Sequence, residues 1–452
     1  MYRKNKSPNQ IKSYGITLRN FFFLVSAPLT ALESVFNYAF SQEVRYPEIY
    51  PECLLNHVGD WNQTEAETEP RPNTYIEINQ LAFYDNIRLV KSQVLDDTTK
   101  MMVVVKSDAY GHGLKMLASV AEMAGADYFG ITENHSLKVM NKLALNVPIV
   151  RLRLASNDEL LTVHSNWDEY GDIEEMVGNI QMAELLSKLG AQQNRKIKIH
   201  LNLNTGGMSR NGFDMNTPKI KDQLLSLLML KNIQIVGIMT HFPNADAANL
   251  ERMRTSLANF KKRAHWILEK GNLNRQEILL HVANTSATLR LPEAHLDMVR
   301  IGSLAFGEKL EKEAPETLQQ LMSVYTKVGQ INFYAKGCTV GYGSNYTLLR
   351  DSYLANLPIG KVNGIPRDLI DVLIGGKRYP MVGDMSMNTT MVDITDGHQK
   401  ITSGDEVVIF GKQGQDEIRV EDHWLSTISD VHSFIGQLNH IARYAKTATH
   451  YV

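Results

Sequence analysis

Eight short apolar segments alternate with helical patterns between residues 102 and 301, and this alternation limits the possible folds more than any other feature. The predicted strands cover residues 102–106, 128–131, 147–152, 175–178, 197–203, 233–240, 278–282 and 298–301. Runs of valine, isoleucine and leucine are typical of parallel strands that are buried on both faces. Eight strand–helix units over this length predict a (β/α)8 barrel of the TIM type. A doubly wound open sheet is the alternative, but no Gly-x-Gly-x-x-Gly sequence follows the first strand.

Beyond about residue 315 the pattern changes to short β-rich segments separated by glycine turns. These segments cover residues 323–333, 352–358, 391–395 and 406–410, and they predict a separate all-β domain. We therefore predict an α/β fold with two domains. The N-terminal barrel covers residues 73–315, and the all-β C-terminal domain covers residues 316–452.

Residues 1–41 have several features of an export signal. Lysines and arginines precede an apolar stretch at residues 21–32, and Ala39 and Ser41 are small residues at the positions that a signal peptidase reads. Glu33 interrupts the pattern, so a leader that is not a signal is the alternative. We expect a periplasmic protein, with a cytoplasmic one as the alternative. Residues 42–72 are rich in proline, glutamate and threonine, which predicts a linker or a surface arm.

The composition argues against several classes of protein. Of the 452 residues, 43% are apolar and 21% are charged, which is typical of a globular protein. Lysine and arginine number 47 and aspartate and glutamate 49, so no excess charge favours nucleic acid or an anionic membrane. No apolar run approaches the roughly 18 residues needed to cross a bilayer. Cys53 and Cys338 are compatible with one disulfide or with two thiols.

Lys106 ends the first predicted strand and is followed at once by small, turn-forming residues. Residues 101–113 read Met-Met-Val-Val-Val-Lys-Ser-Asp-Ala-Tyr-Gly-His-Gly. Such a strand delivers one amine to the carboxyl end of the barrel, where these folds carry their chemistry. A lysine in a low-dielectric pocket can lose its proton and attack a carbonyl, which makes pyridoxal phosphate (PLP) the natural proposal. The alternative is that Lys106 is simply the first polar residue after a core strand.

The last three predicted strands also end in polar residues. His241 follows the sixth strand and His281 ends the seventh, which continues into Asn284 and Thr285. The eighth strand continues into Arg300, Gly302 and Ser303. Backbone amides and hydroxyls after the seventh and eighth strands form the usual phosphate site of such barrels. This position supports a phosphate-bearing cofactor.

Residues 103–113 resemble the cofactor-lysine motif of the alanine racemase family. The resemblance implies that Lys106 carries PLP and that Tyr110 contacts its phosphate. It further implies a phosphate site and a set of residues around the cofactor ring: Asn284, Thr285, Gly302, Ser303, His241, His281, Arg300 and, from a loose alignment, Tyr444. Arg300 would face the ring nitrogen and His281 would orient it. Because arginine does not readily give up its proton, the ring nitrogen would stay unprotonated, which favours proton return over decarboxylation. The alternative for Arg300 is an ordinary ion pair.

Residues 339–346 read Thr-Val-Gly-Tyr-Gly-Ser-Asn-Tyr and resemble the family segment that supplies a second base across a dimer interface. The resemblance implies a homodimer with shared active sites. A single base returns a proton to the face it came from, whereas Lys106 and Tyr342 on opposite faces allow inversion. By the same resemblance, Lys106 serves the D-enantiomer, Tyr342 serves the L-enantiomer, and Met387 helps to bind the substrate carboxylate. The alternative is that Tyr342 only packs.

The fifth predicted strand departs from the pattern of ordinary alanine racemases. Asn202 stands where the family has a lysine that is carbamylated in many members, so Arg210 must be oriented by a neutral amide or a bound anion. The departures resemble the periplasmic broad-spectrum amino-acid racemases, in which the matching residues are distinctive: Arg151, Arg153, Asn204, Arg210 and Asn211. The resemblance implies that these five residues bind the substrate. The alternative is that these are rim charges and turn residues.

Together these features predict a PLP-dependent racemase that interconverts L- and D-amino acids, with broad specificity and small-molecule amino acids as substrates. We predict a homodimer without a nucleic-acid partner, without a membrane contact in the mature form, and without a metal site. An alanine-specific racemase is the alternative. Two less favoured alternatives are a related decarboxylase and an inactive PLP-binding protein. A decarboxylase would need an acidic residue at the ring nitrogen, where this sequence has Arg300. An inactive protein would bind the cofactor without turnover.

Overall fold

A computed structural model of the chain describes residues 71–207, 210–245, 247, 249–309, 311–365, 371–419, 438 and 441–446. The predicted leader, residues 42–70 of the predicted linker, and Cys53 lie outside these residues. The described residues belong to one compact unit. Among the residues described, no helix has the length and apolar character needed to cross a bilayer.

Eight parallel strands form the barrel, and all eight lie within two residues of the predicted ends. Their bounds are β2 Lys100–Val104, β3 Tyr128–Ile131, β4 Ile149–Arg151, β5 Glu175–Val177, β6 Ile197–Asn202, β7 Ile233–Met239, β8 Leu279–His281 and β9 Met298–Ile301. Two four-stranded arcs, in the orders β4-β3-β2-β9 and β5-β6-β7-β8, are joined at both seams. At one seam the amide of Arg151 donates to the carbonyl of Glu174 over 3.0 Å, and at the other the amide of Arg300 donates to the carbonyl of Ala283 over 3.0 Å. The predicted (β/α)8 barrel is therefore confirmed.

Helices surround the barrel and follow its strands along the chain. Their bounds are α1 Gln80–Gln93, α2 Leu114–Met123, α3 Asn134–Lys142, α4 Asn157–Ser165, α5 Trp167–Tyr170, α6 Ile180–Gln192, α7 Pro218–Leu228, α8 Glu251–Lys270 and α9 Thr285–Arg290. Polar side chains begin several of them. The side chain of Asn79 accepts from the amide of Ala82 over 2.9 Å, and Ser156 forms a capping box with Glu159. These caps satisfy amides that the first helical turn leaves unpaired.

The barrel interior is filled by side chains from alternate strand positions. Met102, Val150 and Met298 form a buried cluster, and Leu152 packs against it. Residues two apart on a strand share a face, so the even-numbered positions of β4 point inward and Arg151 points outward toward the helices. This parity decides which polar residues can reach the cavity at the barrel mouth.

The second domain consists of three sheets, of which the largest is mixed and the other two are antiparallel, and it also includes the first strand of the described residues. Its strands are β1 Tyr75–Ile78, β10 Met322–Lys327, β11 Gln330–Tyr334, β12 Thr339–Val340, β13 Tyr346–Thr347, β14 Ser352–Leu357, β15 Asp371–Ile374, β16 Lys377–Pro380, β17 Thr390–Asp393, β18 Glu406–Gln413, β19 Asp416–Ile418 and β20 Arg443–Ala445. The largest sheet has the order β16-β15-β18-β10-β1-β20, with β19 on β18. A three-stranded sheet has the order β11-β14-β17, and β12 and β13 form a hairpin.

Two predictions for this region need correction. The strand β1, which we assigned to the barrel domain, pairs antiparallel with β10 and parallel with β20, so the second domain begins before the barrel. The predicted segment 323–333 is two strands, β10 and β11, which belong to different sheets. A local alternating pattern marks a strand but does not identify its partner, which is set by tertiary packing.

Candidate active site

A cavity of about 590 Å³ opens at the carboxyl ends of the barrel strands. Ten of the residues predicted from the sequence line it: Lys106, Tyr110, Arg153, Arg210, His241, Asn284, Thr285, Arg300, Gly302 and Ser303. They come from the ends of β2, β4, β6, β7, β8 and β9. The cavity is rich in cationic side chains, which suits a ligand that carries phosphate and carboxylate groups.

Lys106 lies two residues beyond β2 and begins an unusual backbone turn. Four consecutive residues from Ser107 to Tyr110 have φ near +53°, in the left-handed region. This region costs roughly 1–2 kcal/mol for each residue other than glycine, so tertiary contacts must hold the turn. The amide of Gly111 donates to the carbonyl of Ser107 over 3.0 Å, and Asp108 accepts from the amide of Leu114 over 2.8 Å. The sequence predicted a turn here but not its handedness.

The amine of Lys106 is adapted to react as a free base. Burial lowers its pKa, the cation of Arg210 lowers it further, and Glu133 opposes both effects. The amine lies 5.4 Å from the centre of the Tyr110 ring. A lysine with a lowered pKa presents more neutral amine at neutral pH, and this is the form that attacks a carbonyl carbon.

Tyr110, Gly302 and Thr285 form a tight group at one end of the cavity. A Cβ atom on Gly302 would lie 2.7 Å from the Tyr110 hydroxyl oxygen, so only glycine allows the tyrosine to approach the backbone of β9. The amide of Gly302 donates to the Thr285 hydroxyl over 3.1 Å. Asn284 caps α9 by accepting from the amide of Ala287 over 3.1 Å. Hydroxyls and backbone amides at this position fit a phosphate group, as the sequence predicted.

Arg300 is buried and held by several acceptors. It donates to Nδ1 of His281 over 3.1 Å, to the carbonyl of Thr240 over 2.9 Å and to the carbonyl of Val282 over 3.0 Å. Burial, and then the charge of Arg210, lower its pKa to about 9, so it remains a cation at neutral pH. Its other neighbour is Nδ1 of His241, at 3.5 Å.

The two histidines beside Arg300 are neutral. Burial lowers the pKa of His241 well below the ordinary value, and the cations of Arg300, Arg210 and Lys106 lower it further. The pKa of His281 is also lowered, first by burial and then by His200 and Arg300. His281 does not line the cavity itself, but it contacts Arg300, as the sequence predicted.

The loop that carries Arg210 is fastened to β6 by the residue that replaces the family lysine. Asn202 donates from its side chain to the carbonyl of Asn211 over 3.1 Å and accepts from the amide of Phe213 at its own carbonyl over 2.9 Å. A Cβ on Gly212 would lie 2.6 Å from the Asn202 carbonyl oxygen, so glycine permits this approach. A neutral amide therefore positions the Arg210 segment through its backbone. Asn204 and Asn211 do not line the cavity.

The two arginines at β4 have different surroundings, and one prediction is wrong. Arg151 is 0% exposed and forms an ion pair with Glu175, with nitrogen–oxygen distances of 2.8 and 3.2 Å, so it cannot reach a substrate. Strand parity places it between the barrel and α4. Arg153, beyond the strand end, lines the cavity and pairs with Glu159.

Tyr342 and Met387 lie on the second domain and do not line the cavity of their own chain. Both side chains are 65% exposed. They belong to one surface, which we call the tyrosine face and define by Tyr342, Lys361 and Met387. The amine of Lys361 lies 5.6 Å from the centre of the Tyr342 ring, and the amide of Val362 donates to the carbonyl of Met387 over 2.9 Å. Three segments that are separate in the sequence, around residues 342, 361 and 387, therefore meet on this face.

Glycines allow the backbone beneath the tyrosine face to pack closely. Gly341 has φ of +79°, and a Cβ there would lie 2.4 Å from the amide nitrogen of Asp384. Gly383 has φ of +71°, and a Cβ there would lie 2.5 Å from the carbonyl oxygen of Val340. Both positions need glycine because of the φ angle and because of the close backbone approach.

The resemblance predicts Tyr444 as a phosphate contact, but the structure does not bring it to the cavity. It lies on β20, with its ring edge-on to Tyr75 at 6.0 Å and with the Arg71 guanidinium 5.1 Å from its ring centre. His200, which contacts His281 inside the barrel, is not among the site residues predicted from the sequence. A histidine among the apolar residues of a strand was the available signal, but this pattern does not show whether the side chain points inward or outward.

Comparison with known proteins identifies the family of the chain. The family model for the alanine racemase N-terminal domain matches residues 78–309, and the model for the alanine racemase C-terminal domain matches residues 321–434. The chain is 39% identical to the lysine racemase of Proteus mirabilis over 353 residues, which is 77% of this chain and 84% of that protein. It is 36% identical to the broad specificity amino-acid racemase of Aeromonas hydrophila over 380 residues, 83% of this chain and 90% of that protein.

A solved structure shows the same fold. The alanine racemase of Bartonella henselae, solved with covalently bound pyridoxal phosphate, superimposes with a TM-score of 0.69 at 24% identity and covers 83% of this chain and 100% of that one. The lysine, the hydroxyls and the glycine cradle of the cavity fit the same cofactor in this chain. The predicted fold, family and cofactor are therefore confirmed. The chain belongs to the alanine racemase family of amino-acid racemases that use pyridoxal 5'-phosphate.

Proposed function

We propose that this racemase interconverts the L- and D-forms of several amino acids, with Lys106 and Tyr342 as its two bases. The observation that carries the proposal is the amine of Lys106, which faces the cavity with a pKa lowered by burial and by Arg210. When bound, PLP withdraws electrons from the α-carbon of an attached amino acid and makes its α-proton acidic. A neutral amine beside that carbon can then accept the proton.

The cationic groups of the cavity have separate tasks in this proposal. Arg210 and Arg153 attract the negative groups of cofactor and substrate. Arg300 is held by His281 and by two backbone carbonyls, so it acts as a fixed donor that keeps its own proton. A donor of this kind leaves the ring nitrogen as an acceptor, which favours proton removal and return over decarboxylation.

Tyr342 supplies the second base from another chain in this proposal. Inversion needs a base on each face of the α-carbon, and Tyr342 does not line the cavity of its own chain. The exposure of Tyr342 and Met387 supports a homodimer in which the tyrosine face of one subunit covers the cavity of the other. The glycine turns behind this face support the same arrangement, because they let the segment of Tyr342 pack closely against residues 383 and 384.

Mixing two inactive variants tests the shared sites. A Lys106→Ala chain keeps Tyr342, and a Tyr342→Phe chain keeps Lys106. In a mixed dimer one of the two sites regains both bases, so random reassociation restores about a quarter of the wild-type activity for an isologous dimer. Mixing either variant with itself is the control. If the mixture gains no activity although mixed dimers form, the bases do not come from different subunits.

The breadth of specificity rests on relatives and on sequence departures. The Aeromonas hydrophila relative is named for broad specificity, and Asn202 and Arg153 differ from ordinary alanine racemases here. We expect purified protein to racemise L-Ala, L-Ser, L-Lys and L-Arg, measured by optical rotation or by chiral chromatography. Turnover of alanine alone would leave the two-base mechanism intact and remove broad specificity.

We also propose that the protein is exported to the periplasm and acts there without a membrane contact. The support is the basic and apolar pattern of residues 3–41. N-terminal sequencing of protein purified from cells tests this proposal. A start near Gln42 is the expected result, whereas an intact N-terminus in a cytoplasmic fraction would overturn it.

A further inference from the structure

Arg300 is the first member of a chain of hydrogen bonds that crosses the barrel interior. We call it the histidine chain and define it as Arg300, His281, His200 and Glu174. Arg300 lies 3.1 Å from Nδ1 of His281, Nε2 of His281 lies 2.9 Å from Nδ1 of His200, and Nε2 of His200 lies 2.7 Å from Glu174. All four side chains are buried. The chain ends near the opposite rim, where the Glu174 carboxylate lies 3.5 Å from the half-exposed amine of Lys198.

The hydrogen bonds of this chain can run in only one direction. A guanidinium has no acceptor, so Nδ1 of His281 must accept from Arg300 and the proton of His281 must be on Nε2. That proton is donated to Nδ1 of His200, which leaves the proton of His200 on Nε2, facing the carboxylate. A second proton on either imidazole would set two donors against each other. The arrangement therefore connects a buried cation to a buried anion through two neutral imidazoles.

The barrel is built to accommodate His200. The neighbouring residue on β7 is Gly237, and a Cβ atom there would lie 2.0 Å from Nδ1 of His200. The register between β6 and β7 also shifts between Ile199 and His200. Bulges of this kind re-aim side chains next to active sites. The missing side chain and the shifted register together make room for one imidazole in a tightly packed interior.

We propose that His200 and Glu174 are positioning residues for Arg300. The proposal rests on the proposed function, in which Arg300 faces the ring nitrogen of the cofactor. Without His200, the Nε2 proton of His281 loses its acceptor in a dry core. His281 can then carry its proton on Nδ1, where it faces the guanidinium and displaces Arg300. The two residues thus act through His281 on the group that contacts the cofactor.

The residue that follows Glu174 in the sequence, Glu175, provides a matched control. Glu175 is buried like Glu174, but its side chain points to the helix layer, where it pairs with Arg151 and lies 3.2 Å from Nε2 of His164. The control cluster of Glu175, Arg151 and His164 has a similar composition, and among the described residues none of its members makes a hydrogen bond to Arg300. Variants of His164 and Glu175 therefore report the cost of disturbing a buried histidine–carboxylate pair alone.

The experiment compares His200→Leu, His200→Gln and Glu174→Gln with His164→Leu and Glu175→Gln in the full-length protein. The readouts are PLP affinity from titration of apoprotein, the pH dependence of the absorbance of the lysine-bound cofactor, and kcat and KM. We expect His200→Leu to weaken PLP binding about tenfold and to lower kcat about 10- to 100-fold, because it disturbs a hydrogen bond to a charged group. KM for the amino acid should change about twofold or less, since substrate contacts remain.

A conservative variant sharpens the result. The amide of Gln at position 200 can accept from His281 and donate to Glu174, so His200→Gln should retain PLP affinity and kcat within about threefold. Glu174→Gln keeps an acceptor but removes the charge, and should fall between the two His200 variants. The control variants should lower Tm but leave the absorbance and PLP affinity unchanged.

Two outcomes would overturn the proposal. One is that His200→Leu loses stability like His164→Leu while its absorbance, PLP affinity and kcat stay at the wild-type values. The other is that the control variants reproduce the changes in kcat and absorbance. If His200→Leu does not fold, Glu174→Gln with wild-type absorbance, affinity and kcat would overturn it instead. A wild-type protein that binds PLP without racemising amino acids would contradict the proposed function, while the apoprotein titration still tests the histidine chain.

Discussion

The barrel cavity and the tyrosine face differ in how complete they are within one chain. At the cavity, Arg300 and the His281 side chain behind it are buried, and their hydrogen bonds are made to residues of the same chain. On the tyrosine face, Tyr342 and Met387 are 65% exposed although the backbone behind them is tightly packed. A closely packed backbone under exposed side chains is expected of a surface that meets another molecule.

This difference separates cofactor binding from inversion. The groups of the cavity that fit PLP belong to one chain. In the proposed mechanism the second base belongs to a surface that the described residues of the same chain leave exposed. Changes in the cavity should therefore affect cofactor attachment and turnover together, whereas changes on the tyrosine face should affect turnover alone.

The largest expected effect comes from removing the cavity lysine. Lys106→Ala should lower racemisation at least about 10⁴-fold, because the substitution removes both the covalent anchor and one base. The absorbance of lysine-bound cofactor should disappear in the same variant. Lys100→Ala, at the exposed start of β2, is the control and should retain both properties. Turnover near the wild-type rate in Lys106→Ala would remove the lysine from the mechanism.

The next largest effect is expected from removing the hydroxyl of Tyr342, and it distinguishes the tyrosine face from the barrel cavity. Tyr342→Phe should lower racemisation about 10²- to 10⁴-fold, the range expected for one general acid–base group, while the cofactor absorbance stays unchanged. Exchange of the α-proton of the D-enantiomer with deuterium from solvent should persist, because Lys106 remains. Tyr346→Phe changes another exposed tyrosine of the same hairpin and should behave as wild type. A Tyr342→Phe protein that racemises normally would assign the second base elsewhere.

The sequence predicted the features that depend on local pattern. Apolar runs located all eight barrel strands, because buried parallel strands are continuous in hydrophobicity. Residues at the strand ends, such as Lys106 and Arg300, were placed at the cavity because parallel strands end at one edge of the barrel. The resemblance in residues 103–113 then supplied the cofactor. These inferences need no knowledge of which strands are neighbours.

The features that failed depend on tertiary contacts. β1 has a normal strand pattern, but its pairing with β10 and β20 is decided across more than two hundred residues. The sequence predicts Arg151 as a substrate contact, whereas the inward positions of Val150 and Leu152 show that it faces the helices. The left-handed turn after Lys106 runs against the preferences of its residues, so contacts with Leu114 and the rest of the domain must impose it.

A smaller effect is expected from changing the charged neighbours of Lys106, and the direction of the pKa shift can be predicted for each. The cation of Arg210 lowers the pKa of Lys106, and Glu133 raises it. Arg210→Gln should therefore raise this pKa, so that the neutral amine appears only at higher pH. Glu133→Gln should lower the pKa and extend reactivity to lower pH. The measurement is the pH at which apoprotein takes up PLP at half its maximal rate, which separates the pKa from any change in the maximal rate. Shifts in the same direction for both variants would contradict the assignment.

The smallest effect concerns the cavity rim, where the two regions meet in the proposed dimer. Arg153→Ala removes a half-exposed cation and leaves Glu159 without its partner, so the rim becomes more negative. A charge in this setting is worth roughly 1 kcal/mol, so kcat/KM for L-Lys relative to L-Glu should rise about fivefold.

Arg151→Met is the control for this substitution. It leaves Glu175 as a buried, uncompensated charge and should cost about 3–5 kcal/mol in the free energy of unfolding. The preference between L-Lys and L-Glu should stay unchanged, because Arg151 faces the helices rather than the cavity. If Arg151→Met alters the preference and Arg153→Ala does not, the inward and outward assignments of these two arginines are reversed. Substrate preference then depends on the buried ion pair rather than on the rim.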